Sequence, residues 1–157
     1  MKLTEIISDD TIVEDLRSSE KKDVIEEMLQ VLVRTGNIRE EDAASVQRAL
    51  LKREELGSTG IGHGIAVPHA KHASIKRLVA AFGRSKKGIE YDALDGKPVY
   101  LVFLLVTPKG EAGIHLEALA YIARLLKDDA FCRIMKDAKD LDELKALIRE
   151  SDGRLGG

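Results

Sequence analysis

Val99-Tyr-Leu-Val-Phe-Leu-Leu-Val106 carries no charge across eight residues and is apolar almost throughout. A strand with one wet face would alternate polar and apolar positions, so this run reads as a strand buried on both faces. It is too short to cross a bilayer, which takes roughly 20 apolar residues in a helix. Burial on both faces requires cover above and below, and the flanking sequence supplies helices for each side. The expected fold is α/β: a single domain with a mixed, mostly parallel sheet flanked by helices on both faces.

Upstream of this strand, Ser18 or Ser19 is placed to cap a helix whose apolar stripe is Val24, Ile25, Met28, Leu29 and Leu32, with Gly36 as its stop. A second helix is expected over about 40–54, with Val46, Leu50 and Leu51 near one face. Residues 65–67 predict a short strand halted by Pro68, and 78–82 predict another. Asp95-Gly96 and Pro98 mark the turn that leads into the central strand. Downstream, a helix starts near Ile114 and a short one covers 130–135. The last helix opens on Asp140 and Glu143 in capping-box spacing. Residues 1–150 are expected to form the domain, and 151–157 (SDGRLGG) a flexible tail.

Composition narrows the function classes without choosing one. The chain has 25 basic and 27 acidic residues, a formal net charge of -2, so no nucleic-acid surface is expected. The single cysteine, Cys132, rules out an internal disulfide framework and a cysteine metal cage, which fits a reducing cytoplasm. Asp9 and Asp10 come before any signal-like apolar run can develop. A cytoplasmic location without membrane insertion is the expectation.

The chemistry-bearing residues gather around Gly57-Ser-Thr-Gly-Ile-Gly-His-Gly64 and just after it. This loop is no nucleotide cradle: it follows a helix, no Gly-Lys-Ser/Thr sequence ends it, and Pro68 stands where a helix should open. His69 and His72 are three apart, but no carboxylate or thiolate spacing completes a metal shell around them. His63 and His72 read first as surface or locally hydrogen-bonded rings. His69 follows a proline at a strand end, where α/β proteins collect reactive groups. His115 falls in the first turn of a helix, where backbone N–H groups disfavour a protonated imidazole. A neutral ring with an available nitrogen can attack phosphorus, and Arg53 can supply a bidentate phosphate contact. On the residues alone, these three side chains could equally be structural.

Four stretches together carry a more specific resemblance. They are Arg53-Glu-Glu-Leu-Gly-Ser-Thr-Gly-Ile-Gly-His-Gly-Ile-Ala-Val-Pro-His69, Asp92-Ala-Leu-Asp-Gly-Lys-Pro98, Val102-Phe-Leu-Leu-Val-Thr-Pro108 and His115-Leu-Glu-Ala-Leu119. The chain resembles the enzyme IIA domain of the fructose/mannitol family of the bacterial phosphoenolpyruvate-dependent phosphotransferase system. The Gly-Ser-Thr-Gly-Ile-Gly run is closest to its nitrogen-regulatory (PtsN-like) branch. The resemblance implies that His69 carries a phosphoryl group on Nε2, that His115 orients it and that Arg53 assists electrostatically. It implies an HPr-like phosphocarrier protein as donor and no metal or cofactor. It further implies, as recipient, either a IIB domain in sugar transport or regulatory targets such as potassium transport and sensor proteins. A regulatory binding module without phosphotransfer is the remaining alternative. Two departures stand out: Ala70 follows His69 where relatives usually have glycine, and His63 stands where asparagine is common. A positive φ at Ala70 would be strained, and His63 could add a donor near the phosphate.

Overall fold

The computed structural model describes residues 1–154. The central apolar run forms β6 (Val99–Pro108), and its side chains divide as two-sided burial requires. Val102, Leu104 and Val106 pack with helices α2 (Lys21–Arg34) and α3 (Ala43–Glu55). Leu101, Phe103 and Leu105 pack on the other face with α4 (Ala112–Leu126), α5 (Asp129–Lys136) and α6 (Leu141–Arg154). The short α1 (Leu3–Ile6) joins this second face through Leu3.

The remaining strands are β1 (Ile12–Val13), β2 (Gly60–Gly62), β3 (Ile65–Ala66), β4 (His69–His72) and β5 (Val79–Ile89). Their order is β1-β5-β6-β3-β2, with β4 also beside β6. Three of the five pairings are parallel, β1–β5, β3–β6 and β4–β6, while β5–β6 and β2–β3 are antiparallel. The expected class, a mixed and mostly parallel sheet in one α/β domain, is the one observed.

Several local expectations are corrected. Neither Ser18 nor Ser19 caps α2; its N-cap is Glu20, which makes no side-chain cap bond. Ser18 instead donates from its backbone and hydroxyl to Glu27, at 3.0 and 2.8 Å. Gly36 does end the helix, in the left-handed region at φ 78° that favours glycine. Strand β5 outruns the predicted 78–82 because Gly83 and Arg84 hide it. A Cβ at Gly83 would lie 2.7 Å from Met28 Sδ and 2.9 Å from Leu16, whose side chains fill the space above the strand. Arg84 is fully buried and points under α5. The last helix runs four residues into the segment expected as a tail, and Ser151 is buried there with its hydroxyl on the Ile148 carbonyl. The rest of that segment, 155–157, lies outside the described residues.

Pro68 interrupts the predicted strand without ending it. β3 and β4 form one line along β6, with Ile65 opposite Leu101 and His69 opposite Leu105. Proline has no N–H to give the ladder, but its carbonyl accepts from Leu105 N–H at 3.0 Å. His69 therefore opens a strand fixed against the most buried element of the protein.

Candidate active site

The structure brings His69 and His115 together: their ring centroids lie 5.3 Å apart, with the planes tilted by 55°. Each imidazole is held by one nitrogen, and the partners differ in kind. His69 Nδ1 is 2.7 Å from the Val67 carbonyl oxygen. A carbonyl can only accept, so the proton sits on Nδ1 and the lone pair on Nε2. His115 Nδ1 is 2.5 Å from Thr107 Oγ1. Thr107 is fully buried, and this contact fixes the His115 ring whichever of the two atoms donates. One ring offers a nucleophilic nitrogen, and a second imidazole is anchored beside it.

Both rings are biased toward neutrality. Burial holds His69 below the ordinary histidine value; the Val67 carbonyl opposes this, and the Arg53 charge adds to it. Burial, reinforced by the His69 and Lys71 charges, pushes His115 down to about 4. The sign for stability follows from proton counting. Between about pH 6.5 and 4 the unfolded chain binds a proton on this histidine that the folded chain refuses. Stability is then full above about pH 6.5 and falls as pH drops toward 4. His115→Asn is expected to flatten part of that fall, read as thermal midpoints at about pH 7 and about pH 4.5. The same midpoint loss in variant and parent would show that His115 contributes none of it.

Arg53 stands in the last turn of α3, where its Nη1–H donates to the Gly57 carbonyl at 2.8 Å. It lines a cavity of about 200 Å³ with Ser58, Thr59, Val67, His69 and Leu119. That volume is below the usual range for a small-molecule pocket and suits a single tetrahedral group. His115 closes the other side of the His69 ring. The lining is partly apolar: Ile61, 47% exposed, stands there with Val67, Leu119 and Ala123.

Behind the glycine-rich loop stands a polar network that the sequence did not reveal. Glu54 is buried beside Arg53, and its carboxylate accepts from Thr59 N–H at 3.1 Å, from the Thr59 hydroxyl and from Tyr91 OH at 3.0 Å. Lys21 supplies the counter-charge at 3.2 Å. Burial and the Glu54 charge drive the Tyr91 phenol far up, so it remains a donor. This hub ties the end of α3 to the loop facing His69. Acid, threonine and tyrosine lie 5 and 32 residues apart in pairs, and no local pattern joins them.

The other histidines separate from the pair. His72 is tied at both ring nitrogens, locally through Nδ1 with Ser74 Oγ at 2.7 Å and across to α3 through Nε2 with Ser45 Oγ at 2.9 Å. His63 is not near the phosphate position. It sits in the β2–β3 turn at φ 58°, with its N–H on Asp95, and the turn pairs with the start of β6 while His69 pairs near its end. Asparagine tolerates that left-handed backbone better than most residues. Ala70 carries no strain: it lies in extended β4 outside the positive-φ set, and its side chain is buried in the core. Among the described residues there is no group of three metal-ligating side chains and no helix long and apolar enough to cross a membrane.

Comparison with known proteins agrees with this arrangement. Residues 5–151 match the family model "Phosphoenolpyruvate-dependent sugar phosphotransferase system, EIIA 2". The chain is 41% identical over 97% of its length to the PTS system fructose-specific EIIABC component of Bacillus subtilis, of which it spans 24%. It is 32% identical to the nitrogen regulatory protein of Bradyrhizobium diazoefficiens, over 94% of this chain and 95% of that protein. The crystal structure of the nitrogen regulatory protein IIA-Ntr from Neisseria meningitidis superposes with a TM-score of 0.83 at 35% identity, covering 93% of this chain and 98% of that one. A chain whose matched region takes in both histidines, Arg53 and the whole sheet belongs to the EIIA type-2 family, a phosphotransfer component of the phosphoenolpyruvate-dependent phosphotransferase system.

Proposed function

We propose that this protein is a cytoplasmic phosphoryl carrier that accepts its group on His69 from an HPr-like phosphocarrier protein. The observation that carries the reading is the His69 hydrogen bond to Val67, which leaves Nε2 as the nucleophile beside the His115 ring. The Nε2 lone pair forms the new N–P bond while the donor protein's N–P bond breaks, and the donor nitrogen keeps that electron pair. Phosphorylation makes the His69 ring cationic, and its Nδ1–H stays on the Val67 carbonyl. In this reading the Thr107 hydroxyl donates to His115 Nδ1, so that the His115 Nε2–H and Arg53 face the moving phosphoryl oxygens, where charge must be stabilised. Exposed Ile61 on the cavity lining, with the basic Arg53 and Lys71 close to His69, gives a partner protein an apolar contact with positive charge beside it.

The biological output we favour is nitrogen or metabolic regulation through phosphorylation-dependent protein contacts. The near full-length match to a nitrogen regulatory protein supports it. The 41% identity to part of a fructose-specific component favours a second reading, transfer to a IIB domain in sugar transport. The test is incubation with phosphoenolpyruvate, the general upstream enzyme and an HPr-like carrier. One acid-labile, base-stable phosphoryl group per chain is expected, with phosphorus–nitrogen coupling placing it on Nε2. No label above a carrier-free control would overturn the reading. Rapid discharge onto an added IIB domain would move the output from regulation to transport.

A further inference from the structure

On the far side of the β2–β3 hairpin lies a second cavity, about 840 Å³, larger than the one at His69 and within the range that holds small molecules. Its base is Tyr100 and Leu101 at the start of β6, and α5 forms one wall. The Tyr100 ring is gripped at opposite edges by two glycines with positive φ. A Cβ would come within 3.3 Å of the ring at Gly64 and 3.1 Å at Gly88. Over the ring sits Lys136 Nζ, 3.8 Å from the centroid, an ammonium held at the cavity wall by a cation–π contact. Arg133 is one helical turn earlier on the same helix, and Lys97 lines the opposite loop. None of these three cations makes an ion pair within 4.0 Å among the described residues, though the Lys97 charge is near enough to Asp95 to help hold that carboxyl below its usual value.

Two carboxylates also line the cavity, and their positions matter. Asp95 is turned to its own loop, accepting from His63 N–H at 3.1 Å and Lys97 N–H at 3.0 Å. Asp129 is in the first turn of α5, a turn ahead of Arg133. The three cations therefore still leave the cavity net positive. Leu94, 72% exposed, and Ile61 add apolar wall beside the charges. A cationic fork beside apolar surface and an aromatic ring matches a ligand with a doubly charged head and a flat or cyclic body.

We propose that this cavity is a binding site for a small phosphomonoester with a ring-shaped body. The phosphate is held by Arg133, Lys136 and Lys97, and the body lies against Tyr100 and Leu94. Ile61 lines both this cavity and the one at His69. An occupant here touches the same strand that walls the histidine pair, while the site itself stands whether or not His69 accepts phosphate.

The test is titration of the ¹⁵N-labelled protein with phenyl phosphate, followed by amide shifts. Saturable shifts are expected at Gly62, Gly64, Tyr100 and Arg133. Arg133→Ser with Lys136→Ser is expected to weaken them at least about tenfold, the worth of one charge-assisted contact. Both side chains are exposed, and an otherwise unchanged spectrum confirms that the variant folds. Phenol, which has the ring without the phosphate, is expected to give no saturable shift. Shifts confined to His69, Leu119 and Arg53, shifts the double variant leaves intact, or equal shifts with phenol would each overturn the proposal, as would no shift up to the solubility of the probe.

Discussion

His69→Ala is expected to abolish phosphoryl acceptance outright while leaving the fold near its parental stability. The ring is half-buried at the wall of a cavity of about 200 Å³, and its one hydrogen bond is to the Val67 carbonyl. Removing it leaves that carbonyl beside open space, at a cost of about 1 kcal/mol. The chemical loss is of a different order, because no other imidazole nearby presents an unprotonated, outward nitrogen. His115 has its Nδ1 against Thr107, and in the proposed roles its Nε2 carries the proton. His115→Ala is therefore expected to slow labelling by about 10²–10³-fold rather than stop it, as for loss of one preorganised donor. Initial rates of label transfer from the carrier, beside thermal midpoints, separate the two variants. Labelling of His69→Ala at the parental rate would place the acceptor elsewhere. Complete loss in His115→Ala with survival in His69→Ala would exchange the two roles.

The sequence made some of this legible and concealed the rest for physical reasons. The two-sided burial of β6 could be read because every position from 99 to 106 had to satisfy one face or the other, and the helix stripes followed from the same rule. His69, His115 and Arg53 stood out because proline, glycine and helix-end signals surround them. What stayed hidden depends on long-range packing. Arg84 and Gly83 look like the end of a strand, yet one is buried under α5 and the other admits α2. Glu54 reads as one more charge on a helix end, whereas folding buries it among Thr59, Tyr91 and Lys21. His63 lies six residues from His69 in sequence, but the hairpin sends it toward the opposite end of β6. Proximity along the chain misled there because a strand separates residues at about 3.3 Å each.

Arg84→Ala is expected to be the most destabilising single truncation outside the apolar core, at about 3 kcal/mol or more. Arg84 is 0% exposed and makes no ion pair among the described residues. Its partners are carbonyls: Glu14 from Nε at 2.8 Å, and Met135, Lys136 and Ala138 from Nη1 at 3.3, 2.9 and 2.9 Å. Three of these close the C-terminal end of α5, where unpaired carbonyls concentrate negative potential, so a cation is favoured there. Nη2 has no hydrogen-bond partner among the described residues, so these contacts use only part of the donor set. Truncation opens a void under α5 and leaves four carbonyls short of a donor. For a chain of this length, about 3 kcal/mol corresponds to a fall in thermal midpoint of about 6–12 °C. Arg84→Met distinguishes the two contributions, since it refills much of the void and removes the buried charge but restores no hydrogen bond. If carbonyl pairing dominates, Met loses nearly as much as Ala. If the void dominates, Met recovers most of the midpoint, because burying an apolar chain carries none of the desolvation cost of the charge. An Ala variant that melts within about 2 °C of the parent would mean that water replaces the guanidinium at those carbonyls, and that α5 is anchored by Phe131 and Met135 alone.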